Sequence, residues 1–104
     1  MQNGNVKLKL THGQLETVWR TVGNESAVGI KYTSMEEKLL FVNLIAIAKK
    51  LNAKWFMPLA LNSISLTPSE ALAFWLIYND VEFKDPFQLA TMRAILDGIH
   101  KRFF

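Results

Sequence analysis

Cysteine is absent from this chain, and that removes three kinds of chemistry at once. There is no disulfide framework, no thiolate zinc site and no cysteine nucleophile. The absence fits a reducing compartment, and the expected location is the cytoplasm. Histidine is scarce too, with 2 residues, His12 and His100. They sit far apart in sequence, so no pair of histidines and no acidic cluster has metal-ligand spacing. The 5 glycines are scattered, which excludes a glycine-rich phosphate loop. No proline- or glycine-rich linker divides the 104 residues, so one domain, 1–104, is expected.

Long hydrophobic runs are also missing. The longest, 39–48, contains Asn43 and falls short of the ~20 residues a membrane helix needs. The first residues, Met1-Gln2-Asn3-Gly4-Asn5, are polar and lead into alternating lysines, unlike a signal peptide. Charge of one sign is modest, with a formal net of +3. The basic groups gather at two helix ends: Lys49, Lys50 and Lys54 in one place, His100, Lys101 and Arg102 in another. The helix dipole favours cations there, so their placement has an explanation without nucleic acid. If the chain did bind nucleic acid, Lys49, Lys50, Lys54, Lys101 and Arg102 are the residues expected to meet phosphate.

What the chain does have is a pattern that occurs twice. Leu8-x-Leu10-Thr11-x-x-Gln14 with Trp19 reappears 56 positions on as Ile64-x-Leu66-Thr67-x-x-Glu70 with Trp75. Each copy predicts a short strand, a threonine helix cap and an amphipathic helix carrying its tryptophan inward. Val6-Lys7-Leu8-Lys9-Leu10 alternates with period two, as a half-buried strand does. Asn62-Ser63-Ile64-Ser65-Leu66 is the second strand candidate. Thr11 with Gln14, Ser34 with Glu37 and Thr67 with Glu70 form capping boxes, and Asp85-Pro86 with Gln88 repeats the signature. Helices are therefore expected at 12–22, 35–51, 68–79 and 86–102. Residues 27–32 carry a weak extended pattern, and 53–58 break the second helix before Pro58.

These elements predict a mainly α fold. It is a four-helix domain built as a pseudo-two-fold strand–helix–helix repeat, with halves at 5–52 and 61–104. Its two short strands are expected to pair antiparallel across the axis.

Two of the four helices lack a polar side. Residues 39–48 hold one polar residue, and 71–78 read Ala-Leu-Ala-Phe-Trp-Leu-Ile-Tyr. A helix apolar on every side must be covered on every side, and a domain of this size has little mass to cover two. A second copy is the expected cover. The 71–78 helix is the favoured interface, because aromatic residues are enriched at interface centres, with Phe74, Ile77 and Tyr78 as contact residues. Trp75 is expected inward.

Catalytic chemistry has little to build on. Glu36 and Glu37 lie in a helical first turn where carboxylates are favoured electrostatically. Ser63 and Ser65 lack an obvious base. Trp55-Phe56 beside Lys54 fits either a lid on the core or a stacking surface for single-stranded nucleic acid. The expectation is a non-enzymatic protein-interaction or assembly module, homodimeric and without cofactor. A nucleic-acid accessory or regulatory protein is the alternative, and a small-ligand-binding helical domain or enzyme comes third.

Overall fold

The computed structural model describes residues 4–27 and 34–104. Its elements run β1 (Val6–Thr11), α1 (His12–Ala27), α2 (Met35–Phe56), β2 (Leu61–Leu66), α3 (Pro68–Tyr78) and α4 (Pro86–Phe103). Among the described residues the protein is therefore mainly helical, with four helices and one two-stranded sheet. From residue 28 onward, the extended pattern expected at 27–32 lies outside the described residues.

Period-two alternation forms both strands. Val6, Leu8 and Leu10 turn inward and the lysines between them turn out. In β2, Asn62, Ile64 and Leu66 turn inward. The strands pair antiparallel, with Leu8 opposite Ile64 and Val6 opposite Leu66. Asn62 puts an amide where the pattern calls for an apolar side chain, and its burial is complete. It survives there because its amide is satisfied. Its Oδ1 accepts from the Leu59 N–H at 2.8 Å, and its Nδ2 donates to the carbonyls of Leu59 and Leu10.

Helix starts follow the caps. Thr11 Oγ1 accepts from the Gln14 N–H while the Thr11 N–H donates to Gln14 Oε1. Full capping boxes also open α2 at Ser34 and α3 at Thr67. At α4 only half of the device forms. Asp85 accepts from the Gln88 N–H, but the Gln88 side chain reaches across to Thr21 on α1 at 2.8 Å. Thr67→Ala, which removes the α3 cap, should cost about 1 kcal/mol, read as a lower melting temperature under matched conditions.

Two helices are longer than expected. Gly23 does not stop α1, which continues to Ala27, and α2 runs past Leu51 to Phe56. The α2 extension lets Trp55 stack on α1, and Pro58 sets the limit by disfavouring helix at Met57.

Each helix packs on two others in a ring: α1 on α2 and α4, α3 on α2 and α4. The core between them takes Leu15, Val18 and Val22 of α1, Leu44, Ile47 and Leu51 of α2, Phe74 and Tyr78 of α3, and Met92, Leu96 and Ile99 of α4. Along α4, Leu89, Met92, Ile95, Leu96, Ile99 and Phe103 share helical spacing; Leu89 is exposed nonetheless, and Thr91 is buried. Gly98 lies on the outer side of α4, and a Cβ added there meets nothing within 4 Å. Gly98→Ala should stabilise the protein by roughly 0.5–1 kcal/mol through the unfolded chain's lost freedom, measurable in urea.

Candidate interaction surface

The apolar helix that stays exposed is α2, and α3 is enclosed. Phe74 is 0% exposed and Tyr78 1%, their rings tilted against each other at 4.8 Å. Ile77 is half-buried against the same core. Two of the three residues expected at an interface thus face the chain's own interior, where a second copy cannot reach them. Length explains the difference. With 11 residues, α3 is about 16 Å long and its neighbours can cover it; α2 has 22 and is about 33 Å long. On α3 only Leu76 among the large apolar residues stands out in solvent.

Along α2 the exposed residues follow a rule. Met35, Leu39, Val42, Ala46, Lys49, Ala53 and Phe56 fall at alternating steps of four and three; all are exposed except the half-buried Ala46, and Lys49 is the one polar residue in the series. That is the spacing of a helix seam made to receive another helix. Met35 is 71% exposed, Leu39 57%, Val42 63% and Phe56 83%. The charges along the helix are polarised. Glu36 and Glu37, followed by Lys38, leave the first turn net acidic, whereas the last two turns hold Lys49, Lys50 and Lys54 and no acid.

The far end of α2 carries an aromatic stack. Trp55 lies on Trp19 at 4.6 Å with planes 15° apart, and His12 also stacks with Trp55 at 5.5 Å. The Trp19 indole N–H donates to Asn52 Oδ1 at 2.6 Å. Trp55 is half-buried against the core, which of the two sequence-based alternatives fits the lid. Phe56, Met57 and Leu59 beyond it remain exposed. Trp75 is only half-buried, packed between the core and Phe104 at 4.8 Å, with His100 stacked on Phe104.

The basic residues do not come together. Lys50 leaves the surface set: its Nζ donates to Glu70 Oε1 at 2.6 Å and to the Ser65 carbonyl at 2.8 Å. Glu70 is 6% exposed and also accepts the Thr67 N–H, so one carboxylate caps α3 and holds α2 to β2. Lys49 stands in the α2 seam, and Lys54 lines a hollow beside β2 with Ser63 and Ser65. Lys101 and Arg102 are exposed at the end of α4. Sequence reasoning missed the Lys50–Glu70 link because its partners are 20 positions apart and each had a local explanation.

Concave sites are shallow. A groove of about 390 Å³ between α1 and α2 is lined by Trp19, Arg20, Gly23, Asn24, Ala48 and Asn52. Its one ionised group, Arg20, is turned to Glu16 at 2.8 Å. Among the described residues no three acids or histidines gather as a metal site would need, and no helix is long and apolar enough to cross a membrane. No protein-family model, curated protein or solved structure matches the chain.

Proposed function

We propose that this protein is a non-enzymatic interaction module of the cytoplasm that works as a homodimer, with α2 as the dimer helix. The observation that carries the reading is the exposed seam on α2. An apolar stripe this long on a small domain costs free energy in water and usually marks a contact site. The occupant is a second copy, because the helix is complementary to itself. Laid antiparallel about a two-fold axis near Ala46, Met35 meets Phe56 of the second copy and Leu39 meets Ala53. The acidic first turn then lies beside Lys54 of the other helix, and Val42 is covered by the aliphatic stem of Lys49. A parallel pairing would set like charges side by side at both ends.

We further read the two halves as one strand–helix–helix unit used twice. The register supports this, since Leu8 pairs with Ile64, its counterpart 56 positions on. The ring of helices supports it too, because exchanging α1 with α3 and α2 with α4 leaves the packing pairs unchanged. In this reading the repeat is a scaffold, and the difference between α2 and α4 carries the function.

Light scattering on the chain eluting from a sizing column tests the dimer. Twice the chain mass at high micromolar concentration is expected, and a mass of one chain there overturns the reading.

A further inference from the structure

The two edges of the sheet are finished differently. On the β2 edge, the Ser65 carbonyl points outward to Lys50, and Glu70 fixes that ammonium in place. An outward carbonyl at Ser65 sets the alternation of the ladder. Ser65 and Lys7 opposite it form a pair without mutual hydrogen bonds, so Lys7 and Lys9 turn their main-chain N–H and C=O groups away from β2. Thr11, in the same phase of β1, agrees: its N–H leaves the ladder to meet Gln14 Oε1 at 3.0 Å. Before Thr11 the edge is bare, and among the described residues no group outside the sheet bonds the main chain of Lys7 or Lys9. In the repeat, Gln14 stands where the second half has Glu70, and with the second helices of the two halves aligned at an offset of 51, Lys101 of α4 stands where α2 has Lys50. Among the described residues no carboxylate holds Lys101, and the β1 edge stays open.

Beside that edge, between β1 and α4, runs a cleft of about 220 Å³. Its floor is Val6, Leu8 and Ile95, and its far wall is Ala94 and Gly98. Thr91 is 3% exposed and lines the cleft. Around the opening cations outnumber acids. Lys7 and Lys9 stand on the outer face of β1, and Lys101 and Arg102 line the adjoining hollow with Gly98. None of the four makes an ion pair among the described residues. Asp97 of α4 lines a hollow that shares Ala94 and Gly98 with the cleft, so one acid stands among these four cations.

We propose that β1 accepts a third strand from an acidic, extended segment of another protein, laid in the cleft against α4. The bare N–H and C=O groups of Lys7 and Lys9 supply the main-chain bonds, as in other strand additions. Acids at alternate positions of the incoming segment pair with Lys7 and Lys9 on the outer face. Small apolar residues between them sit over Ile95 and beside Gly98, where a Cβ would still find open space. The same lysines choose the partner. A second β1 added to this edge would bring four lysines together, so self-pairing is disfavoured and an acidic strand is selected. Nucleic acid would satisfy the charges but has no alternating donors and acceptors to complete a strand ladder. The inference is independent of the α2 seam, which lies on the β2 side of the fold.

The test is fluorescence anisotropy with the full chain and a labelled, end-blocked peptide alternating glutamate with valine. Saturable binding is expected. Lys7→Glu with Lys9→Glu should weaken it about tenfold through loss and reversal of two cross-strand charge pairs. Gly98→Phe should abolish it by filling the cleft, with the melting temperature unchanged or raised. If Gly98→Phe lowers that temperature, the lysine pair decides alone. A peptide with lysine for glutamate, and one N-methylated at alternate amides along the bonding edge, should both fail. The proposal is overturned by no saturation with the acidic peptide, by equal binding of the N-methylated peptide, or by unchanged affinity in the double lysine variant. Tighter binding of a single-stranded oligonucleotide than of the peptide also overturns it, since the basic rim would then serve phosphate.

Discussion

Leu39→Lys should convert the proposed homodimer into single chains while leaving the fold intact. In one chain Leu39 is 57% exposed, and a lysine there costs little because its ammonium stays in water. In the proposed dimer the same ammonium enters an apolar seam opposite Ala53, close to Lys49 and Lys54 of the second copy. An unpaired cation in such a place costs about 3 kcal/mol, which weakens association on the order of a hundredfold. Light scattering across a dilution series should find one chain mass where the parent holds two, with equal melting of the dissociated chains. Leu39→Glu is the informative companion, because it places a carboxylate near those same lysines and should be milder. Equal effects of the two substitutions would count against the antiparallel arrangement. An undisturbed dimer in Leu39→Lys would remove α2 from the interface.

Lys50→Met should be the most damaging surface-accessible substitution outside the core. The methionine keeps the apolar stem of the side chain and loses the ammonium, leaving the buried Glu70 carboxylate without its cation and the Ser65 carbonyl without its donor. Breaking one side of a buried ion pair is expensive, and the partial exposure of Lys50 reduces the cost to about 2 kcal/mol. For a domain of this length that is a fall of roughly 10 °C in melting temperature. The double variant with Glu70→Gln should recover most of the loss, since glutamine still accepts the Thr67 N–H and carries no charge. Lys101→Met, at the matching place in the other half, should do nearly nothing. Equal losses at Lys50 and Lys101 would mean that the ammonium–carboxylate contact contributes no special stability.

Local chemistry explains which parts of this fold could be read from residues alone. The caps at Thr11, Ser34 and Thr67 declare themselves within four residues, and the alternation through Leu8 and Ile64 declares the strands and their inward faces. Ends of helices were harder. Gly23 looked like a stop but lies mid-helix, and Trp55 gains enough from stacking on Trp19 to carry α2 onward to the limit set by Pro58. The exposed surface was hardest of all. Residues 39–48 and 71–78 have similar apolar composition, and only the assembled ring of helices decides which is covered. Phe74 and Tyr78 are enclosed because α3 is short, whereas α2 is longer than its neighbours can wrap. The open edge of β1 lay further out of reach. It depends on Ser65 turning outward to a lysine in α2, and nothing in the order of residues around Lys7 or Lys9 records that event.

The pairing of β1 with β2 bears on how the chain comes off the ribosome. Val6, Leu8 and Leu10 emerge early, yet their strand partner is complete only at Leu66, and no other strand among the described residues is offered to them sooner. At ordinary elongation rates the interval is roughly 3–10 seconds. For that time an apolar strand with both edges bare waits on the nascent chain, guarded by the charges of Lys7 and Lys9. The early helices can form while they wait, but closure of the ring belongs to the moment the second half is finished. A nascent chain stalled before residue 66 should therefore expose a strand that a chaperone can bind, and one released after α4 should not.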